Sequence, residues 1–289
     1  MNIIQVYKRF PTHDDCIAHL EKVRWNDEPT CPYCNSKNST PLPKERRHHC
    51  NNCNTSYSVT VGTIFHKTKL DLQKWFLAIS LILNAKKGVA SRQLARDLEV
   101  NKDTAWYLQM RLRRAMLQDS ALLTGIIEAD ETYIGGKEKN KHKNKRTPGS
   151  QGRNTKTKVA VAGVVERGGK VKAQKVKDVK SDTLKRVIRA NVEKGSNIIT
   201  DEWIGYKDID EDFIHDVISH SAGQYVIGHA HTNTIENFWS LLKRGIMGQY
   251  HKLSAHHLNK YIDEFCFRHN NRDNGSIFDL VLQRAVGIA

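Results

Sequence analysis

The sequence predicts a mixed α/β protein in which a cysteine-bearing and then helical N-terminal part precedes a larger, sheet-bearing part. Three observations predict it. From Ile126 onward the runs IIEADETYIG, VAVAGVVE, VKAQKVKDV and NIITD follow one another, and short runs rich in Val and Ile read as strands. Helical apolar spacing falls between or after them, at 181–192 and 234–246, an interleaving that points to a mixed sheet faced by helices. Upstream the pattern differs, with paired cysteines followed by three stretches of helical spacing. At about 100–200 residues per domain, the 289 residues suit two domains, or one large domain with a small appendage.

Residues 1–25 read as a short amphipathic lead-in. Lys8, Arg9, Asp14 and Asp15 interrupt it too early for a signal peptide. The longest apolar stretch, 75–83, is about half a membrane span. No membrane partner is expected, and the chain is expected in the cytoplasm, where cysteines are rarely disulfide-bonded. Four of the six cysteines form two pairs, Cys31-Pro-Tyr-Cys34 and Cys50-Asn-Asn-Cys53. Each pair turns two sulfurs to one side of a tight loop, so Cys31, Cys34, Cys50 and Cys53 predict one structural Zn²⁺ in a ribbon within residues 1–66. His48 and His49 are competing ligands, and a redox role for one pair is the alternative. Cys16 and Cys266 read as buried small apolar residues.

Residues 67–124 read as helical. Leu72, Trp75, Phe76, Ile79 and Leu83 share a helix face. A second helix over 91–98 sets Leu94, Ala95 and Leu98 on one side, 99–101 break it, and a third helix runs over 102–116. Val100 and Ala105 can pack under that turn. This is the pattern of a helix-turn-helix whose second helix offers Lys102, Asp103, Thr104 and Tyr107 to a major groove and Arg111, Arg113 and Arg114 to phosphates. An ordinary helical hairpin with solvated arginines is the plainer alternative. The charge favours DNA. Lys and Arg number 46 against 31 Asp and Glu, a net +15, which points to a polyanionic partner. The excess is not one tail: residues 1–124 hold 19 basic against 11 acidic residues, and 125–289 hold 27 against 20.

The sheet-bearing part, 125–289, carries a basic insert at 136–158 with almost no apolar residue. It is expected to be a mobile loop in which nothing is buried. Lys143, Lys145 and Arg146 make it a nucleic-acid clamp by counterion release, or a solubilising loop. Three carboxylates stand out. Asp130 sits among apolar neighbours, and alternation puts Glu128, Asp130 and Thr132 on one strand face. Asp201 ends the run NIITD, and Glu236 opens a helix that Thr232 or Asn233 could cap. Two strand-end aspartates and a glutamate on a facing helix can converge on two divalent ions, the arrangement suited to phosphoryl transfer. An all-carboxylate set favours Mg²⁺ or Mn²⁺. Singly, each has an ordinary reading as a turn cap or a helix-dipole partner. Glu128 is a candidate supporting acceptor, and Trp203 and Trp239 read as core.

The strings IEADETYIGGK, TDEWIGY, HTNTIENFWSLLKRGIMGQYHKLS and YIDEFCFRHNNR resemble bacterial insertion-sequence transposases of the DDE type. The likeness is to the group with an N-terminal zinc ribbon and an ISXO2-like transposase domain. It implies a ribonuclease-H-like catalytic domain and metal-dependent cleavage and joining of DNA strands. It implies Asp130, Asp201 and Glu236 as the carboxylates in order, with two Mg²⁺ or Mn²⁺ per active site. Lys243, two helical turns after Glu236 and about 10 Å along the axis, matches a Lys or Arg of related families and is expected on a DNA phosphate. Double-stranded DNA, as element ends and target, is the implied partner, with a homodimer or higher assembly forming on it in a bacterial, nucleoid-associated setting. The rival readings are a DNA-binding regulator with an inactive transposase-derived domain and a stand-alone nuclease of the same fold.

Overall fold

The computed structural model describes all residues except 137, 151–155, 207, 208, 210, 211, 219–230, 252, 288 and 289. It divides into two compact units, Met1–Leu117 with Asp273–Ala289, and Gln118–Arg272. Among the described residues no helix is long and apolar enough to cross a membrane.

The first unit begins with helices α1 (Ile3–Arg9) and α2 (His13–Trp25), opened by reciprocal caps between Asn2 and Gln5 and between Thr12 and Asp15. Strands β1 (Ser39–Leu42), β2 (Arg47–Cys50) and β3 (Thr55–Tyr57) form an antiparallel meander. Helix α3 (Leu72–Asn84) buries Leu72, Trp75, Phe76, Ile79 and Ile82, an apolar surface too wide for a helix with a wet side. Helices α4 (Ser91–Asp97) and α5 (Lys102–Leu112) form the predicted pair. The last helix, α9 (Ile277–Gly287), corrects the expected boundary of 125–289. Its buried Phe278 packs on Phe10 and Phe76, with ring centroids 6.3 and 5.9 Å away. Asp279 pairs with Arg9 at 3.1 Å. Phe278, Val281, Leu282 and Ala285 are buried here, so hydrophobic burial assigns the C-terminus to the N-terminal unit.

The second unit is built on strands β4 (Ile126–Ile134), β5 (Val159–Glu166), β6 (Val171–Val176), β7 (Asn197–Asp201) and β8 (Ile214–Ile218). Their order is β6-β5-β4-β7-β8. The β4–β5 and β5–β6 pairs are antiparallel, and β4–β7 and β7–β8 are parallel. The sheet is mixed, as the interleaving of strands and helices predicts. Four of the strands are the four predicted runs, and β8 is new. One sheet face, with Ile127, Ala129, Val164 and Ile198, packs on α6 (Ser181–Asn191) through Leu184 and Ile188. The other, with Val161, Val165 and Ala173, packs on α7 (Asn233–Gly245) and α8 (Leu258–Asn270) through Phe238, Trp239, Leu242, Ile262 and Phe265.

Candidate active site

The cysteines converge as their spacing predicts. Sγ of Cys31 lies 3.6 Å from that of Cys53, Sγ of Cys34 lies 3.5 Å from that of Cys50, and all four fall within 4.8 Å of one another. A tetrahedral Zn²⁺ with Zn–S bonds of about 2.3 Å sets its sulfurs roughly 3.8 Å apart, so the cluster fits that ion. His48 is engaged by Glu21 at 2.9 Å and His49 by Ser56 and Asn54.

In the helical pair, Glu99 takes a left-handed φ of 50° and Asn101 caps α5, its Oδ1 accepting from Thr104 N–H at 2.7 Å. Lys102, Tyr107 and Arg114 are exposed and Thr104 is half-buried. Arg111 and Arg113 do not reach outward as expected. The Arg111 guanidinium donates twice to the His66 carbonyl at 3.0 Å and lies over the Trp75 and Tyr107 rings. Arg113 is 2% exposed, near Met110 Sδ. Arg113 follows the buried Gln109 by four residues and the buried Ala105 by eight, so helical phase itself carries it to the packed face.

The basic insert is partly described; 137 and 151–155 lie outside the described residues. Lys143 and Lys145 are exposed. Arg146 is exposed but donates to the Lys139 and Lys141 carbonyls at 2.9 and 3.0 Å. Contrary to expectation, the loop has a buried centre. Glu138 accepts from Lys141 Nζ at 2.6 Å and Thr147 N–H at 3.0 Å, and this pairing with Lys141 first, then with Thr147, holds its pKa low. On α8, Arg268 lies over Phe265 and 3.4 Å from Glu264.

The acidic residues are positioned by strand register. Glu128 pairs with Ile199 across the parallel β4–β7 ladder, and two residues further on each strand brings Asp130 level with Asp201. Opposite Asp130 on the antiparallel side stands Gly163. A Cβ at Gly163 would lie 2.7 and 2.9 Å from two Trp239 ring carbons. The indole therefore lies directly over the glycine, and its Nε1 donates to Asp130 Oδ2 at 3.0 Å. Burial first, then the charges of Glu131 and Asp201, raise the Asp130 pKa to about 7, against the Trp239 hydrogen bond. A carboxylate pair that repels itself in this way suits a divalent cation, and its hard oxygen donors suit Mg²⁺ or Mn²⁺. Gly163→Ala is expected to push the indole off Asp130 and lower stability by about 1–3 kcal/mol. Urea unfolding followed by Trp emission checks this, and an unchanged midpoint would mean that the indole has room to move.

Glu128, two residues before Asp130 on the same face, is 0% exposed. It accepts from Thr234 N–H at 2.8 Å, Ile235 N–H at 3.1 Å, Thr234 Oγ1 at 2.9 Å, and Arg167 Nε and Nη2 at 3.2 and 3.1 Å. Arg167 also donates to the His231 carbonyl at 2.9 Å. The first amides of α7 are thus capped by a strand carboxylate rather than by Thr232 or Asn233. Thr232 instead donates to Glu236 Oε1 at 3.0 Å. Glu236 is exposed and has not joined the aspartates: among the described residues only the four cysteines form a group of three or more potential ligands within 4.8 Å. Lys243, seven residues on, is close enough to Asp130 for its charge to support the lysine's pKa, while partial burial, the larger effect, and Lys158 lower it. Gly163, Arg167 and the hydrogen bond of Trp239 were not foreseen; the available signal was the lone glycine inside VAVAGVVE.

Comparison with known proteins adds two domain matches. Residues 122–270 match the family described as ISXO2-like transposase domain, and residues 11–56 match the transposase zinc-ribbon domain. The chain is 26% identical, over 86% of its length and 88% of the relative's, to an uncharacterized protein in transposable element ISH50 of Halobacterium salinarum. Among solved structures, it is similar to a chain of a simian T-cell lymphotropic virus intasome in complex with PP2A regulatory subunit B56 gamma. That match has a TM-score of 0.31 and 12% identity over 61% of this chain; it spans 63% of that chain, under two thirds of its length. It is also similar to Mos1 transposase in a paired-end complex with the left transposon end, with a TM-score of 0.29 and 14% identity, covering 73% of this chain and 78% of that one.

Proposed function

Because the chain belongs to the ISXO2-like transposase family, we propose that it cuts the ends of an insertion sequence and joins them to target DNA. The observation that carries this reading is the placement of Asp130, midway along β4, close enough to feel the charge of Asp201 at the end of β7, with the helix that bears Glu236 and Lys243 tied to Asp130 through Trp239. Asp130, Asp201 and Glu236 would hold two Mg²⁺ or Mn²⁺, which when bound activate an attacking oxygen and stabilise a leaving one.

The residues of the chain prepare that chemistry. Trp239 fixes one oxygen of Asp130 and leaves the other for the cation. Glu236 exchanges Thr232 for the same site. Glu128 and Arg167 hold the start of α7, so that Glu236 and Lys243 keep their phase over the strands. Lys243 binds a DNA phosphate. A water attacks the phosphodiester at the element end, forming one P–O bond and breaking the bond to the 3′ oxygen. The freed 3′-hydroxyl then attacks a target phosphodiester directly, forming a new P–O bond and expelling the target strand's 3′ oxygen as a hydroxyl, without a covalent link to protein. Lys102, Thr104, Tyr107 and Arg114, with the ribbon, bind the terminal repeats, and Lys143 and Lys145 engage the backbone. Two ends must be handled together, so the working form is a dimer or larger.

The test is incubation of the full-length protein and Mg²⁺ with a duplex carrying the element's terminal repeat and a target plasmid. Nicked ends and joined products are expected. Binding without nicking would favour the regulator, and hydrolysis without joining would favour the nuclease.

A further inference from the structure

A cavity of about 660 Å³ opens beside Lys243 in the second unit, a size that suits a small ligand. Its apolar wall is the edge of the core, where Ile134 and Ile246 are buried, with Met247 standing 61% exposed next to them. Its rim is cationic, formed by Lys139, Lys158 and Lys243 with Lys141, which is paired to Glu138 at 2.6 Å, and no carboxylate is among its described lining residues. Two local features build it. Gly135 has a φ of 154°, and a Cβ there would meet the Thr157 carbonyl and Lys158 at 3.1 Å, so the end of β4 runs tight against the segment carrying Lys158. At the other side α7 passes into a π-helical turn, Ile246–Tyr250, a rare form that is frequent at functional sites and that here projects Met247.

Phosphates alone need only the rim. An intact duplex is convex, keeps its bases stacked inside, and has nothing to fill an apolar recess. The ligand that matches both parts has a flat apolar face and negative charge on either side of it. We propose that this cavity takes a single base turned out of the DNA stack close to the phosphate being cut, with the adjoining phosphates on Lys139, Lys158 and Lys243. Met247 supplies the polarizable, adaptable surface on which the base lies, and the lysines hold its backbone against restacking. The inference rests on the DNA-cutting reading for the position of the base, and on the cavity alone for its chemistry.

The test uses the full-length protein and duplexes of the terminal repeat in which 2-aminopurine replaces each base in turn around the cleavage site, with Ca²⁺ in place of Mg²⁺. One position is expected to gain at least fivefold in fluorescence on binding. Met247→Ser, a change at an exposed side chain, is expected to abolish the gain while duplex affinity changes less than threefold. If the wild-type protein binds and, with Mg²⁺, cuts the duplex but no position brightens, or if Met247→Ser leaves the gain intact, the base pocket is overturned and the cutting reading survives. Brightening without cutting would keep the pocket and sink the cutting reading. A protein that does not bind the duplex would sink both.

Discussion

Asp130→Asn is expected to abolish strand cleavage and, in the same protein, to raise the melting temperature of the sheet-bearing unit when no divalent ion is present. Two separate consequences of one buried charge meet here. Burial, Glu131 and Asp201 raise the Asp130 pKa to about 7 from an ordinary 3.8. The folded chain therefore keeps a proton that the unfolded chain releases between those values. With more protons on the folded side, stability falls as pH rises from about 4 to about 7 and is level above. A shift of about three pKa units corresponds to roughly 4 kcal/mol, and an asparagine that still needs its own partners recovers about 1–3 of it. For a unit of this size the gain is roughly several degrees. Asparagine keeps an oxygen for Trp239 but is a far weaker ligand, so the gain in stability comes with loss of the cation. Thermal unfolding at pH 8 is the measurement. Mg²⁺ should raise the wild-type midpoint and leave Asp130→Asn unmoved. Equal midpoints for the two proteins, with no response to Mg²⁺ in either, would remove the basis for a metal site at Asp130 and Asp201.

The second large effect is expected at Glu128. Glu128→Ala removes a fully buried carboxylate that serves the partly exposed Arg167 and two α7 amides. Removing one partner of a buried charge pair costs about 3–5 kcal/mol, so denaturant unfolding of this unit should shift by that amount. Glu128→Gln keeps the shape and an acceptor for the amides and should lose about half as much. Function adds a second readout. Helix α7 carries Glu236 and Lys243, whereas α5, the proposed reader of the terminal repeat, is in the other unit. In Glu128→Gln, repeat binding should stay within about twofold while cleavage drops at least tenfold, since small misplacements of catalytic groups are costly. Equal losses of binding and cleavage would point to general unfolding rather than to misplacement of α7.

Much of the molecule was legible because its signals are local. Runs rich in Val and Ile marked β4 to β7, helical spacing marked α3, α6 and α7, and paired cysteines marked the ribbon, each within a window of a few turns or one strand. The same locality limited the reading of arginines. Arg111 and Arg113 look like outward cations by residue type, but the neighbouring His66 carbonyl draws Arg111 in and Arg113 shares the buried face of Ala105 and Gln109. Strand β8 went unread because IHDVI follows no regular alternation, and its parallel pairing with β7 is what defines it.

The residue types for the proposed chemistry and their order were thus determined by the sequence alone, whereas Asp130 stands midway along β4 and not at a strand end. Tertiary structure decided which of them meet. Register across β4, β5 and β7 levels Asp130 with Asp201 and sets Gly163 beneath Trp239. Packing of α7 brings Glu128 to amides more than 100 positions away. The burial of Phe278 assigns the C-terminal helix to the N-terminal unit. Hydrogen-bond register and the exclusion of water act between segments far apart in the chain, so these contacts leave no mark on any short stretch of it.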